Sequence, residues 1–232
     1  MSRTIAIGDI HGCAVALNRL LQEISPEKSD TLIGIGDYVD RGSDSNGVIE
    51  TLIGLMSQCQ LVPLIGNHEL MMFQGLRDKQ DFDFWIAHGG SQTLASYGGK
   101  TENIPQHHMT FLSHCLKFHE TDTHIFLHAN YVPEVPLKQQ PDRIVFWEHI
   151  DQRIPQAHRS GKTVIVGHTP QADGEMRNFG HLQMIDTFCY GDGWLTALDV
   201  ESGQIWQANN IGEFRESELP EVMPAPQDSP PN

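Results

Sequence analysis

Residues 31–42 read TLIGIGDYVDRG, an apolar run that ends abruptly in a charged segment. The run TLIGI has the β-branched, uncharged composition of a buried strand. Asp37, Asp40 and Arg41 then crowd into the segment GDYVDRG. A turn after a strand needs a glycine and at most one Asp or Asn. This concentration of charge therefore indicates either a solvated loop or a functional site.

The same pattern, an apolar strand that ends at Asp, Asn or His, recurs along the chain. The endings are IGDIHG (7–12), IGDYVDRG (35–42), IGNHE (65–69), FLHAN (126–130) and IVGHT (165–169). Predicted helices over 13–24 and 45–58 separate the first three strands, which indicates βαβ units and a largely parallel sheet. Because ligands of open α/β sheets bind beyond the carboxyl ends of the strands, these endings can converge on one place.

The second half of the chain predicts a different arrangement. Residues 69–120 read as helical with short loops, and the histidines His107, His108, His114 and His119 within them are expected at the surface. Later strands are predicted at 124–127, 163–166, 182–185, 194–200 and 204–208. Their close spacing favours antiparallel pairing. We expect a single domain over 1–215 and a Pro-rich, acidic, disordered tail over 216–232.

Composition limits the classes of partner and compartment. Thirty acidic and fifteen basic side chains give a formal net charge of −15. Broad binding to nucleic acid or to an anionic membrane needs a basic face, so neither partner is expected. The four cysteines form no CxxC pair, which favours a reduced compartment. No apolar run approaches about 20 residues, and the chain opens on a strand-like run rather than a signal peptide, so we expect a cytoplasmic protein.

The side chains at the strand endings form a mixed set of possible metal ligands. Asp9 and His11 lie two apart, so an extended backbone points both the same way. The full set is Asp9, His11, Asp37, Asn67, His128 and His168. Carboxylate, amide and imidazole ligands together suit Mn, Fe or Zn rather than Ca²⁺. The set is too large for one open catalytic ion but fits two ions that share a carboxylate, an arrangement used in phosphoryl displacement.

Taken singly, each of these residues has an ordinary structural explanation. An Asp after a strand is commonly a turn residue or a helix N-cap, and a single His is commonly a surface or core residue. Five such endings, with further charged groups at fixed offsets, favour a functional site instead. No GxxxxGK[ST] loop occurs, so ATP-driven phosphoryl transfer is not supported.

GDIHG, GDYVDRG and GNHE, followed by a later histidine and by GHT, resemble the signature blocks of the PPP family of metallophosphatases, in its small bacterial branch. The resemblance extends from Asp9 to Asp186. It implies a calcineurin-like α/β sandwich of two mixed β-sheets flanked by helices. It also implies a dinuclear centre of two divalent or trivalent ions, Mn in the first place, with Fe or Zn as alternatives. By motif position the ligands are Asp9 and His11 on the first ion, Asp37 as the bridge, and Asn67, His128 and His168 on the second.

The resemblance also assigns roles around these ligands. His68, directly after Asn67, resembles the family's general acid, and Asp40 resembles the carboxylate that orients it. Arg41 resembles the family's phosphate-binding arginine, whose planar fork suits two phosphoryl oxygens, and Asn67 also contacts the phosphate by resemblance. An ion pair with Asp37 or Asp40 is the alternative for Arg41. Glu69 is expected at the start of the next helix, where a carboxylate is favourable.

One block departs from the family pattern. In the small bacterial and phage enzymes of the family, a second phosphate-binding arginine lies two residues after a tryptophan. Here the corresponding segment is IVFWEHI (144–150), and His149 stands two residues after Trp147. A histidine is fully charged only below about pH 6.5, its unperturbed pKa. Arg143 and Arg153 are the alternatives for this second phosphate clamp.

We therefore expect a metal-dependent phosphomonoesterase, with a serine/threonine protein phosphatase as the leading interpretation by resemblance. Its substrate would be a phosphorylated protein or a small phosphoester. The alternative within the same fold is a hydrolase of dinucleoside polyphosphates such as diadenosine tetraphosphate, against which the scarcity of basic residues argues. A catalytically inactive phosphate-binding module is a further alternative. The presence of all the candidate ligands together with His68, Asp40 and Arg41 argues against it.

Overall fold

The computed structural model describes residues 2–151 and 153–224. Its α-helices are α1 (Ala14–Ile24), α2 (Ser45–Leu55), α3 (Asn67–Gly75), α4 (Lys79–Trp85), α5 (Ser91–Ser96), α6 (Gln106–Ser113) and α7 (Asp142–Trp147). Its strands are β1 (Thr4–Ile7), β2 (Thr31–Gly34), β3 (Gln60–Pro63), β4 (Phe118–Glu120), β5 (His124–Leu127), β6 (Thr163–Val166), β7 (Arg177–Asn178), β8 (Leu182–Met184), β9 (Leu195–Asp199), β10 (Gln204–Ala208) and β11 (Phe214–Glu218). A π-type turn at Ile86–Gly90 joins α4 to α5. Within the described ranges, no helix combines the length and the apolar character needed to cross a membrane.

The strands form two mixed sheets. The first has the order β11-β10-β9-β1-β2-β3, in which β1, β2 and β3 are parallel and the other three pair antiparallel. The second has the order β4-β5-β6-β8-β7, with three parallel strands in the centre and an antiparallel strand at each edge. The expected architecture of two mixed sheets flanked by helices is confirmed.

Alternate residues of the central strands face different layers of the core. Ala6 and Phe126 belong to the apolar cluster between the two sheets. Ile7, one residue along β1, belongs instead to the cluster that includes α1 and α2, and Leu127 packs in the cluster that includes α7. The central strands are thus covered on both faces, which explains why their sequences are continuously apolar rather than alternating.

Several boundaries differ from the sequence expectation. Phe118–Glu120, in the stretch read as helical, forms the edge strand β4 against β5. The antiparallel pairing expected for the second half holds for β9, β10 and β11, whereas β5, β6 and β8 are parallel. The predicted boundary between residues 215 and 216 falls inside β11, which pairs along its length with β10. Its sequence FRESE looks like a polar tail because charged residues are typical of exposed edge strands. Residues 225–232 of the predicted tail lie outside the described part.

Candidate active site

The predicted site residues lie at the carboxyl ends of strands from both sheets. They are Asp9 and His11 after β1, Asp37 after β2, Asn67 and His68 after β3, His128 after β5, and His168 after β6. Backbone contacts connect these loops: His11 N donates to Asp37 O at 2.7 Å, and His168 N donates to Asp9 Oδ2 at 2.9 Å. The five strand endings therefore converge, as their positions in the sequence suggested.

Glycines next to the site residues allow the loops to approach one another. Gly36 has φ +107°, which favours glycine over any residue with a side chain. A Cβ atom there would lie 2.6 Å from Gly66 N and 3.0 Å from His128 Nδ1. The recurring glycine before Asp, Asn or His is thus a requirement of close packing between loops.

Asp37 lies at the centre of the group. Its Oδ2 is 3.4 Å from His11 Nε2 and 4.0 Å from His68 Nε2, and its Oδ1 is 3.5 Å from His128 Nε2. Two sets of possible ligands therefore share this carboxylate: His11, Asp37 and His68 form one, and Asp37, His128 and His168 form the other. Within each set the ligand atoms lie within 4.8 Å of one another. Asp37 has the position that a bridge between two cations requires.

The histidine tautomers follow from the hydrogen bonds on the outer side of each ring. His11 Nδ1 lies 3.0 Å from Val39 O, and His128 Nδ1 lies 3.0 Å from Ile35 O. Because a carbonyl oxygen only accepts, Nδ1 carries the hydrogen and Nε2 presents its lone pair to the site. His128 Nε2 then faces Asn67 Oδ1, another acceptor, at 2.9 Å. Two acceptors turned toward each other are suited to a shared cation.

Unpaired buried atoms provide an independent test of the metal hypothesis. Among the described residues, four buried side-chain atoms lack a hydrogen-bond partner: Gln183 Oε1 on β8, and Asp9 Oδ1, His168 Nε2 and Asp186 Oδ2 at the site. An unsatisfied buried polar atom costs about 1–3 kcal/mol. Carboxylate oxygen and imidazole nitrogen are the ligands that Mn, Fe and Zn accept. The residues present therefore fit bound metal ions, and Asp186, which was not among the predicted ligands, lies with them.

The electrostatics of the site also favour added positive charge. Burial raises the pKa of Asp9 well above its usual range, and Asp186 and Asp37 add to the shift. Burial likewise raises the pKa of Asp186 to about 7. Burial also opposes ionisation of Asp37, but the neighbouring histidines, His128 foremost, outweigh it and lower the pKa of Asp37 below its usual range. Cations bound between these carboxylates would stabilise their ionised forms.

A second part of the site consists of His68 and the groups that hold it. His68 Nδ1 lies 2.8 Å from Asp40 Oδ2, and Asp40 also accepts hydrogen bonds from Trp85 Nε1 at 2.9 Å and Thr93 Oγ1 at 2.7 Å. Burial alone would lower the pKa of His68, but Asp37 and the hydrogen bond to Asp40 raise it above its ordinary value. His68 is therefore held in place by Asp40, and its Nε2 lies 4.0 Å from Asp37 Oδ2.

Glu69 has a larger part in this geometry than its expected place in a helix suggests. It does lie in the first turn of α3, but its buried carboxylate accepts hydrogen bonds from the backbone N–H groups of Gly66, Asp37, Tyr38 and Val39 at 2.7–3.2 Å. Asp37, Asp40 and Arg41 have φ values of 52°, 73° and 67°. A left-handed backbone conformation costs free energy in residues other than glycine. The hydrogen bonds to Glu69 stabilise the segment that contains these three residues.

The cleft above these groups has a volume of about 390 Å³ and includes Arg41, His149 and Tyr190 in its lining. Arg41 lies over the Tyr190 ring at 4.4 Å, and its Nη1 donates to His11 Nε2 at 3.1 Å. Across the described residues it forms no ion pair with Asp37 or Asp40, which was the alternative. His149 packs 4.4 Å from the His168 ring.

The two alternatives to His149 do not line the cleft. The side chain of Arg143 is 85% exposed, lies 3.5 Å from Glu148 and lines a neighbouring pocket. Arg153 is exposed and is not among the described lining residues of the cleft. Of the three residues considered for the second clamp, His149 is the one that the fold brings next to the predicted metal ligands.

Comparisons with known proteins agree with this geometry. Serine/threonine-protein phosphatase 1 of Salmonella typhimurium is 27% identical over 205 residues, which are 84% of this chain and 90% of that protein. Serine/threonine-protein phosphatase 2 of the same organism is 41% identical over 86 residues, so the match spans 36% of this chain and only 37% of that relative. The symmetrical bis(5'-nucleosyl)-tetraphosphatase of Pectobacterium atrosepticum is 45% identical over 69 residues, 29% of this chain and 24% of that protein. The family model described as calcineurin-like phosphoesterase matches residues 2–181. Because this match covers most of the chain and both sheets carry the site, the chain belongs to the calcineurin-like phosphoesterase family, whose members are metallophosphoesterases.

Proposed function

We propose that this chain is a metal-dependent phosphomonoesterase that hydrolyses phosphoserine and phosphothreonine in proteins. The observation that carries the proposal is the buried pair of His68 and Asp40, joined at 2.8 Å, with His68 Nε2 turned toward Asp37. Hydrolysis of an alkyl phosphate needs an activated water and a proton for the leaving oxygen. A proton carrier beside a set of cation ligands meets both needs.

The residues of the chain divide this work between them. The ions would be held by Asp9, His11, Asp37, Asn67, His128 and His168, and Asp186 is a further carboxylate beside them. When bound, a pair of ions supplies Lewis-acid polarisation of the phosphoryl group and activation of the attacking water, with Mn as the leading choice of metal. Asp40 accepts the Nδ1 hydrogen of His68, which leaves Nε2 to deliver its proton to the leaving oxygen.

Arg41 and His149 are proposed to bind the phosphoryl oxygens, with Asn67 beside them. The guanidinium fork of Arg41 suits two oxygens at once, and the Tyr190 ring supports it from one face. If His11 Nε2 held a metal ion, Arg41 would lose this acceptor and its guanidinium would be available to the substrate. His149 supplies one further donor in the lining of the cleft, a weaker clamp than a second arginine because an imidazole cannot form the two parallel hydrogen bonds of a guanidinium.

The charge of the cleft favours a phosphoprotein over a dinucleoside polyphosphate. Arg41 is the one arginine among the described lining residues, which include no lysine, and the chain carries a formal charge of −15. A tetraphosphate chain bears several negative charges. The proposed ions would neutralise the phosphoryl group bound to them, and a single arginine offsets the rest of the chain poorly. Similarity to Serine/threonine-protein phosphatase 1 over 90% of its length also supports the phosphoprotein assignment.

A dinucleoside polyphosphate hydrolase is the second candidate, and two aromatic side chains favour it. Phe84 and Trp147 line the cleft, and they are 50% and 38% exposed. Exposed aromatic faces stack on nucleobases without regard to base identity. Similarity to symmetrical bis(5'-nucleosyl)-tetraphosphatases points the same way.

A direct competition between substrates tests the proposal. The Mn²⁺-loaded chain is assayed for phosphate release from phosphoserine and phosphothreonine peptides, and for nucleotide products from diadenosine tetraphosphate by chromatography. We expect kcat/KM for the better phosphopeptide to exceed that for the dinucleotide by roughly tenfold or more. The reverse ratio would replace the substrate assignment with the second candidate. Phosphopeptide binding without hydrolysis of any phosphoester, p-nitrophenyl phosphate included, would identify an inactive phosphate-binding module instead.

A further inference from the structure

A second group of metal-ligating side chains lies outside the cleft, where α2 packs beside α6. Its members are Glu50 on α2 and His107 and His108 in the first turn of α6. His107 Nε2 lies 2.9 Å and His108 Nε2 2.7 Å from the same oxygen, Glu50 Oε1. Two imidazole nitrogens and a carboxylate oxygen thus converge on one point, although the two helices are far apart in sequence.

The two distances to Glu50 Oε1 are close to those between the ligands of a metal site, and all three ligand atoms lie within 4.8 Å of one another. Zn²⁺ binds imidazole nitrogen and carboxylate oxygen at about 2.0–2.2 Å, which places tetrahedral ligands about 3.3 Å apart. The two distances to Glu50 Oε1 are only slightly shorter than this. The side chains of Glu50 and His107 are 54% and 57% exposed, so they can separate by that small amount and a cation can enter from solvent.

The burial of His108 distinguishes this group from an ordinary pair of hydrogen bonds at the surface. It was expected at the surface, but its side chain is fully buried, with Nε2 at Glu50 and Nδ1 2.8 Å from the hydroxyl of the buried Tyr97. A tyrosine hydroxyl can accept as well as donate, so Tyr97 can accept the Nδ1 hydrogen while Nε2 binds a metal. Metal-binding histidines are commonly held by such a partner on their second nitrogen.

We propose that Glu50, His107 and His108 form a binding site for a transition-metal dication, best suited to Zn²⁺, that joins α2 to α6. Two histidines and one glutamate are a ligand set that Zn²⁺ uses in proteins, with water in the fourth position. None of the three residues lines the cleft, so this ion has no part in phosphoester hydrolysis. Its effect is structural, because an ion that binds only the folded chain stabilises it by mass action.

Zn²⁺ titration of the full chain tests the site, with ions per chain counted by elemental analysis after removal of free metal. We expect Glu50→Gln and His107→Ala each to bind one fewer Zn²⁺ than the parent. His114→Ala is the matched control, because His114 is an exposed histidine at the other end of α6 whose Nδ1 is occupied by Thr110 O. It should bind as many ions as the parent. Comparison with the parent removes the contribution of the active site.

Thermal unfolding provides the second readout. With Zn²⁺ in excess, the parent and His114→Ala should gain roughly 5 °C more in unfolding temperature than the two cluster variants, while all four should unfold alike in the presence of a chelator. If Glu50→Gln and His107→Ala both bound as many ions as the parent, the proposed site would be disproved. An equal loss in His114→Ala would overturn it as well, because it would indicate unspecific binding to surface histidines.

Discussion

The region around Asp37 and the region around Asp40 lie next to each other in sequence and structure, yet they accommodate buried charge in opposite ways. Both carboxylates are buried. Asp37 accepts one backbone hydrogen bond, from His68 N to Oδ1 at 3.0 Å. Its oxygens otherwise face the Nε2 atoms of three histidines at 3.4–4.0 Å, and nearby carboxylate and imidazole atoms are unpaired. The oxygens of Asp40, in contrast, accept hydrogen bonds from His68, Trp85 and Thr93 at 2.7–3.0 Å.

This difference indicates what each region needs in order to function. The chain itself satisfies Asp40, so the His68 side of the site is ready before any ligand arrives. Around Asp37, candidate ligand atoms are buried without a positive charge between them. Buried polar and charged atoms are stable only when a hydrogen bond or an opposite charge compensates them. One half of the site is therefore preorganised by protein contacts, and we propose that the other half depends on cations from solution.

Replacement of Asp37 should have the largest effect, because it removes the group shared by both ligand sets. For Asp37→Asn we expect kcat/KM on p-nitrophenyl phosphate to fall by about a thousandfold or more, since metal polarisation is worth several kcal/mol. Elemental analysis should show fewer bound Mn²⁺ ions per chain. Activity within tenfold of the parent at saturating Mn²⁺ would contradict a bridging role.

Replacement of His68 should lower turnover and leave the metal content unchanged if His68 carries a proton. Loss of a bound ion would instead identify His68 as a ligand, which its place in the first set of candidate ligands allows. For His68→Asn we expect a loss of about 10²–10⁴ in kcat on alkyl phosphates, the usual contribution of a general acid. The loss should be smaller on p-nitrophenyl phosphate, because its leaving group needs less protonation.

The matched control is His88→Asn, which changes a histidine of the cleft lining whose Nδ1 is bonded to Phe84 O. It should retain most of the activity. Equal losses on alkyl and phenolic substrates in His68→Asn would show that His68 acts other than by donating a proton.

The convergence of these residues around Asp37 was largely predictable from the sequence, and the reason is local. Each candidate ligand lies at a fixed offset from the end of an apolar strand, so the pattern of residues and the rule for strand ends place them together. Asp186 was not predicted as a candidate ligand although it follows β8, because in the sequence a single Asp after a strand is indistinguishable from a turn residue. Its unpaired Oδ2 marks it only in the structure.

The partners of Asp40 could not be found in the same way. Trp85 and Thr93 lie 45 and 53 residues further along the chain, in a stretch that reads simply as helical. Which side chain meets Asp40 depends on how α4 and α5 pack, and neither helix carries a motif that encodes it. His108 illustrates the same limit, because a polar helical segment gave no sign that one of its adjacent histidines is buried.

The smallest effect is expected for Trp85→Phe, which keeps a ring against Phe82 but removes the Nε1 donor to Asp40. His68 and Thr93 remain bonded to the carboxylate, so the loss of one hydrogen bond to a charged group should lower kcat by roughly tenfold. Burial raises the pKa of Asp40, and the bond from Trp85 is among those that oppose the rise. Without the Trp85 hydrogen bond, the pKa of Asp40 should rise further. As the pH falls, the activity that requires ionised Asp40 should therefore be lost at a higher pH than in the parent. Phe82→Leu alters the same packing without touching the carboxylate, so its acid limb should match that of the parent. If Trp85→Phe left the acid limb unmoved, the Trp85 hydrogen bond would have no part in keeping Asp40 ionised.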